Sequence, residues 1–280
     1  VALTVAGSDS GGGAGIQADL ITFRALGVFG TSAITCITAQ NPDRVSAIQP
    51  IKPGIVAEQM DRVFEAFRLG GAKTGMLYDA AIIEVVADGF ARRKFRRLVV
   101  DPVMVASSGA LLLKQDAIAA LTRRLLPLAA VVTPNLAEAE VLSEQRIRSL
   151  AELRDVARAL AERFGVPVLV KGGHLPSIEP VGRDRRARRV VGQTRLARRS
   201  DPTTTRAVDV LFDGRQFHEF DAPVVRGIKT HGTGCTLSAA IAANLALGQE
   251  LVPAVRAAKK FVTRAIRQSL RIGRYRALRI

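Results

Sequence analysis

The sequence predicts an α/β fold with a mostly parallel central sheet, helices on both of its faces and an antiparallel hairpin at one edge. Three observations predict it. Short apolar runs alternate with helical patterns of about ten to fifteen residues, the spacing of βαβ units. Runs such as Leu98-Val99-Val100 are apolar throughout, as suits strands covered on both faces. Late in the chain, two strand-like runs flank Asp213-Gly214 with no helix between them, a hairpin signal.

Each element follows in order. Residues 1–6 form an apolar run ending at Gly7; no basic residue precedes it, so it reads as a first strand rather than a secretion leader. A helical pattern covers 15–26 and stops at Gly27. Residues 32–39, rich in Ile and Thr, predict a second strand. Val56, Met60, Val63, Phe64 and Phe67 recur at helical spacing, which predicts a helix over 56–69. A short strand over 72–75 precedes Asp79, the N-cap type for the next helix. The strand 98–100 runs into Asp101-Pro102, a helix lies near 115–126, and the strand 130–132 runs into Thr133-Pro134. Helices follow near 135–143 and 149–164, then a strand over 166–171 that meets Gly172-Gly173. The hairpin spans 207–212 and 216–220. Two helices, 233–247 and 251–271, complete the pattern.

The chain has 280 residues and a formal net charge of +16. At 48% hydrophobic residues it can bury one large core, and we expect a single domain over 1–280. No apolar run is long enough for a membrane helix. The charge is unevenly spread. Segment 177–206 carries nine Arg against Glu179, Asp184 and Asp201, and segment 251–280 carries nine Lys plus Arg and no acid. The remaining 220 residues hold 23 basic and 22 acidic residues, so the body is near neutral. Segment 177–206, with no aromatic residue, reads as a basic insertion loop. It offers no platform for base stacking, so only weak, salt-sensitive nucleic-acid binding is expected. Cys36 and Cys235 form neither a disulfide framework nor a zinc pattern, which fits a reducing cytoplasm. His174, His218 and His231 lack metal-ligand spacing.

Ligands of open parallel sheets bind beyond the carboxyl ends of the strands. After the first strand, residues 7–15 contain five glycines, which let backbone approach a ligand closely. A Walker loop fails here, because Gly13 follows Gly12 where Lys is required. Gly13 to Ala18 matches a dinucleotide fingerprint, but the second strand reaches Gln40 without an acid to hold a ribose. The glycines are better explained by a ligand loop than by a plain connector.

His231-Gly232-Thr233-Gly234-Cys235 opens a helix rich in Ala. Free N–H groups at a helix start make an anion hole. Cys235 lies in that first turn, where the helix field lowers a thiol pKa, so it is a candidate base or nucleophile; the alternative is a small buried helix residue. Cys36, in mid-strand, is read as core. Asp101 suits a metal or its water, or simply a turn. Asn135 and Glu138 have capping-box spacing, and Glu138 could alternatively stand near Mg²⁺ and phosphate. Lys171 could reach a nucleotide phosphate, or be a solvated strand end. Gln40 offers two hydrogen bonds to an amide-like or pyrimidine edge. Together these groups suggest phosphoryl transfer, which needs positioning and charge neutralisation more than covalent machinery.

Residues 2–19 resemble the opening of the hydroxymethylpyrimidine/phosphomethylpyrimidine kinases of thiamine biosynthesis, members of the ribokinase-like superfamily. Thr38-Ala39-Gln40-Asn41, Lys73-Thr74-Gly75-Met76-Leu77, Asp101-Pro102-Val103-Met104, Thr133 to Glu140, Val170 to His174 and His231 to Thr236 fit in the same order. The resemblance implies ATP-dependent phosphorylation of 4-amino-5-hydroxymethyl-2-methylpyrimidine and then of its monophosphate. It implies ATP and Mg²⁺, with a monovalent cation as an optional helper, and a homodimer. Gly7, Gln40, Met76, Val103 and Asp19 would meet the substrate. Gly232 and Gly234 would form the anion hole, and Cys235 would take the hydroxyl proton. Lys171, Asn135 and Thr233 would lie near ATP, and Asp101 and Glu138 near Mg²⁺. A pyridoxal kinase of the same superfamily is the nearest alternative. Thr74 departs from the aliphatic residue expected before Gly75-Met76, and the 177–206 insertion is longer than the resemblance implies.

Overall fold

A computed structural model describes residues 1–104, 113, 115–173, 206–225 and 231–280. The expected basic insertion, Arg206 excepted, and His174 lie outside the described residues.

A nine-stranded sheet organises the chain. Its parallel centre comprises β1 (Ala2–Asp9), β2 (Gly30–Asn41), β4 (Gly71–Thr74), β5 (Leu98–Val100), β6 (Val131–Val132) and β7 (Val168–Lys171), in the order 2-1-4-5-6-7. The expected hairpin, β8 (Arg206–Phe212) and β9 (Phe217–Pro223), adds antiparallel to β7 at one edge. The other edge departs from expectation. There β3 (Arg44–Pro50) folds back antiparallel onto β2, so both edges are antiparallel. The turn that returns β3 is set by Asn41, whose side chain accepts from the N–H groups of Asp43 and Arg44, an Asx-type turn.

Two apolar cores cover the two faces. On one, α2 (Pro53–Ala66), α3 (Ala80–Arg92), α4 (Gln115–Ala120), α5 (Leu136–Ser143) and α6 (Leu150–Phe164) pack on Leu3, Val5, Val100 and Val132. On the other, α1 (Gly15–Ala25), α7 (Thr233–Ala246) and α8 (Leu251–Arg267) pack on Ala2, Val99, Val131 and Leu169. Alternate residues of one strand feed opposite cores, as the period of two requires. Helix ends follow their local chemistry. The Asp79 carboxylate accepts from the Ile82 N–H as expected, Ser149 caps α6 and Gly165 closes it in the left-handed conformation. The helix expected to run to 271 stops at Arg267, and 270–277 form a small hairpin, β10 (Leu270–Ile272) and β11 (Tyr275–Ala277), turning at Gly273.

Two buried groups sit oddly in this frame. Lys73, in mid-β4, is fully buried and holds both carboxylate oxygens of Asp19 at 2.9 and 2.8 Å. Burial alone would discourage its charge, but Asp19 overrides burial and raises the ammonium above its ordinary value. Removing one partner of such a pair leaves a naked charge, which costs about 3–5 kcal/mol. Lys73→Met is expected to lose stability of that order in urea unfolding, and the double change Lys73→Met with Asp19→Leu to recover most of it.

Thr74, on the opposite face, is fully buried, and its Oγ1 has no hydrogen-bond partner among the described residues. An unmatched hydroxyl in a core costs about 1–3 kcal/mol. Thr74→Val keeps the shape and is expected to raise unfolding free energy by about 1 kcal/mol, measured by the same urea titration.

Candidate active site

The carboxyl ends of the parallel strands and the start of α7 converge. Small residues let α7 lie close to the sheet. A Cβ on Gly71, the first residue of β4, would stand 2.4 Å from the Ala242 carbonyl oxygen, so this position admits only glycine without displacing the helix. Close packing thereby delivers the first turn of α7 to the strand ends. Its N-cap, Gly232, has φ 85°, and a Cβ there would stand 1.7 Å from the Gly13 carbonyl oxygen. The helix start and the glycine-rich loop after β1 are therefore in backbone contact.

Asp9 shapes that loop from within. Its Oδ1 accepts from the Gly11 N–H at 2.8 Å and its Oδ2 from the Ala14 N–H at 2.9 Å. Burial opposes its charge, yet His231 and these two N–H groups outweigh burial and hold the carboxyl below its ordinary value. His231 Nε2 lies 3.1 Å from Asp9 Oδ2 and 3.0 Å from the Gln40 amide. One imidazole thus joins the loop, the end of β2 and the start of α7.

The expected substrate residues fall into two groups. Gly7 and Met76 are joined, the Gly7 N–H donating to the Met76 carbonyl at 3.1 Å, and the Thr35 hydroxyl donates to the same carbonyl at 2.6 Å. Gln40, near the end of β2, and Val103, three residues beyond β5, are half-buried. Asp19 must be corrected. It is fully buried below the loop, with Lys73 on both oxygens and the Thr4 hydroxyl donating to one at 2.6 Å. It braces β4 against α1 and has no oxygen free for a ligand.

The expected phosphate-side residues come together at the neighbouring strand ends. Lys171 Nζ donates to Asp101 Oδ1 at 2.9 Å, so Lys171 is not the solvated strand end of the plain reading. A Cβ on Gly234 would stand 3.4 Å from Lys171 Nζ and 3.9 Å from Asp101 Oδ2, which puts both charges against the α7 start. Burial works against the Lys171 charge, but Asp101 and Glu138 overcome it and raise the ammonium above its ordinary value. Asn135 and Glu138 form the full capping box, Asn135 Oδ1 accepting from the Glu138 N–H and Glu138 Oε2 from the Asn135 N–H. Glu138 is also buried beside Lys171 and Asp101. Burial, with Asp101 adding to it, pushes its carboxyl up to about 7 against the pull of Lys171. Thr233 is the first residue of α7.

Cys235 lies in the first turn of α7, half-buried. The expected lowering of its pKa does not hold. Burial pushes the thiol up to about 11, against the pull of Lys73. Cys36 is buried core, and burial likewise pushes it up to about 11.

Asp101 and Glu138 are the hard-oxygen donors of the site. Among the described residues, no three His, Cys, Asp or Glu converge into a metal cage of their own. Two carboxylates fit Mg²⁺ in its usual nucleotide mode, where phosphate oxygens and water complete the shell.

Sequence reasoning missed four participants: Asp9, His231, Thr133 and Ser238. The Ser238 hydroxyl donates to Asp101 Oδ2 at 3.2 Å, and the Thr133 hydroxyl approaches Oδ1 at 3.4 Å. Ser238 stands three residues after Cys235 on α7, and Thr133 opens the Thr133–Glu140 block without a role of its own in the sequence reading.

The phosphomethylpyrimidine kinase family model matches residues 9–278. The chain belongs to the phosphomethylpyrimidine kinase family. It is 47% identical to the hydroxymethylpyrimidine/phosphomethylpyrimidine kinase of Rhizobium meliloti, over 95% of this chain and 90% of that one. It is 44% identical to the thiamine biosynthesis bifunctional protein ThiED of Geobacter sulfurreducens over 97% of this chain, and spans 50% of that relative's length. Among solved structures, Bacillus subtilis pyridoxal kinase, an ADP complex, is similar with a TM-score of 0.81 at 33% identity, covering 99% of this chain and 96% of that one. Clostridium difficile phosphomethylpyrimidine kinase is similar with a TM-score of 0.75 at 37% identity, covering 95% and 98%. These likenesses agree with the ribokinase-like fold and the antiparallel edge expected above.

Proposed function

We propose that the chain is an ATP-dependent kinase of thiamine biosynthesis. It phosphorylates the hydroxymethyl group of 4-amino-5-hydroxymethyl-2-methylpyrimidine and then the resulting monophosphate. The observation that carries this reading is the His231 contact: Gln40, the residue with a pyrimidine-type hydrogen-bonding edge, is one imidazole away from the start of α7. A ring held by Gln40 would direct its hydroxymethyl group toward the start of α7, where Cys235 lies in the first turn.

Each residue then has a physical task. Gly7, Gln40, Met76 and Val103 bind and orient the ring. The N–H groups of the α7 start, around Gly232, Gly234 and Cys235, stabilise charge on the transferring phosphoryl group, as preorganised donors do. Lys171 neutralises ATP phosphates, and Asn135 and Thr233 lie on the nucleotide side. Asp101 and Glu138 would hold Mg²⁺, which supplies charge neutralisation at the phosphates. The thiolate form of Cys235 takes the hydroxyl proton as the phosphoryl group is transferred and becomes the thiol. The resting thiol, being neutral, adds no repulsion to an approaching anion, and a loose transition state asks little of the base.

A second reading, pyridoxal phosphorylation, is favoured by one observation, the TM-score of 0.81 to Bacillus subtilis pyridoxal kinase. Steady-state turnover of both alcohols by the purified protein separates the two. The pyrimidine is expected to give at least about tenfold higher kcat/KM, the scale of one well-matched polar contact. A reversed ratio would move the substrate to pyridoxal.

The family resemblance also supports one kinase domain over 1–280, a homodimer and help from a monovalent cation. Two free cysteines suit a cytoplasmic location. Among the described residues, no helix is long and apolar enough to cross a membrane.

A further inference from the structure

His231 does more than join two segments: it decides which way the Gln40 carboxamide faces. Asp9 Oδ2, a carboxylate oxygen, can only accept. At 3.1 Å from it, His231 Nε2 must carry the ring's hydrogen. The other ring nitrogen, Nδ1, is buried without a partner among the described residues, so nothing there competes for that hydrogen. The His231 N–H therefore also faces the Gln40 amide at 3.0 Å. With Nε2 of Gln40 on that side, two donors would oppose each other. A half-turn of the carboxamide, which leaves its shape unchanged, removes the conflict. Gln40 Oε1 then shares the one Nε2 hydrogen of His231 with Asp9 Oδ2 in a three-centre bond.

Thr38 requires the same orientation independently. Its hydroxyl donates to the Ser8 carbonyl at 2.8 Å, and its single hydrogen is spent there. Toward Gln40, at 3.1 Å, the Thr38 oxygen is left as an acceptor. It takes one N–H of the turned carboxamide. The Gln40 main chain is fixed as well: its N–H donates to Ser10 Oγ at 2.8 Å, and Ser10 Oγ donates to its carbonyl at 2.9 Å. The imidazole lies against Gly13: its Cδ2 is 3.1 Å from where a Cβ there would stand, so glycine leaves the ring its room.

We infer that His231 and Thr38 are specificity-positioning residues, which lock the Gln40 carboxamide so that one N–H and one oxygen lone pair, in fixed order, meet the substrate ring. That pair complements an acceptor ring nitrogen beside an exocyclic amino group. It opposes the reversed edge, a ring N–H beside a carbonyl. The inference rests on the aminopyrimidine reading above and adds to it the device that enforces the edge.

The test compares kcat/KM for the 4-amino alcohol with that for its 4-oxo analogue, in the wild type and in His231→Leu and Thr38→Val. The wild type is expected to prefer the amino compound by about 100-fold or more, since a site built to hydrogen-bond rejects a mismatched edge strongly. In His231→Leu one of the two restraints on the carboxamide is lost, so the preference is expected to fall by about tenfold, chiefly through KM for the alcohol. Thr38→Val releases the other side of the amide, gives up the hydroxyl contact to Ser8 but keeps the Asp9–His231 contact, and carries the test if His231→Leu does not fold. A wild type that turns over neither alcohol would remove the aminopyrimidine reading. A wild type that prefers the amino edge, with folded variants that keep its full preference, would overturn the positioning role alone.

Discussion

Cys235→Ala lowers kcat for phosphoryl transfer by about 10²–10⁴-fold, the contribution of a positioned proton acceptor, while thermal unfolding changes little. The anion hole around the sulfur is built from backbone at the start of α7. Binding of ATP, followed by calorimetry, is therefore expected to persist. The pH profile gives the sharper reading. Burial pushes the thiol up to about 11, so below that value the thiolate fraction rises about tenfold per pH unit. If the thiolate takes the proton, kcat of the wild type climbs with pH through the neutral range. Cys235→Asp places a carboxylate, ordinarily ionised above about pH 4, at the same point, and is expected to flatten that climb. A Cys235→Ala enzyme with unchanged kcat would remove the thiol from the mechanism and leave the anion hole in place.

Gly232→Ala is expected to lower kcat/KM by about 10²–10³-fold, the scale of losing an oxyanion donor. The backbone there has φ 85°, and the added Cβ would stand 1.7 Å from the Gly13 carbonyl oxygen. Neither segment can yield cheaply, since Asp9 holds the loop and α7 is buried along its length. The helix start must move away from the loop, and the donors with it. Gly165→Ala is the matched control, because Gly165 also has positive φ but an added Cβ meets nothing within 4 Å. A Gly232→Ala enzyme no more impaired than this control would show that the α7 start does not hold the phosphoryl group.

What the sequence revealed of this fold was local. The capping box of Asn135 and Glu138, the Asp79 cap and the turn at Asp213-Gly214 all place their signal within three residues, and all are present in the structure. The strand ends were legible because apolar runs stop abruptly at Asp101, Thr133 and Lys171. What stayed hidden was long-range or weakly patterned. The strand β3 lies on an edge with most of its side chains exposed, so it carries no apolar alternation to betray it. The reading of the last helix ran past its end because Arg residues continue at helical spacing to Arg271, although the chain there has already turned into a hairpin.

The same limit applies to the site. Its backbone parts, Gly232 and Gly234 above all, could be read from one short motif. The pairs that support it could not. Asp9 and His231 are 222 positions apart, and Lys73 and Asp19 are 54 apart. The one local clue to the second pair was a lone Lys inside an otherwise uncharged strand. The thiol was misjudged for a related reason: a motif reveals that Cys235 opens a helix, but not how deeply the fold buries it.

The central claim is that ring recognition at Gln40 and phosphoryl transfer at Cys235 share one pocket. A crystal structure of the protein soaked with 4-amino-5-hydroxymethyl-2-methylpyrimidine tests it most directly. The predicted result places the ring's amino edge on the Gln40 carboxamide and the hydroxymethyl oxygen within hydrogen-bond reach of Cys235 Sγ. A ring bound away from Gln40, or a hydroxymethyl group turned away from the start of α7, would contradict it.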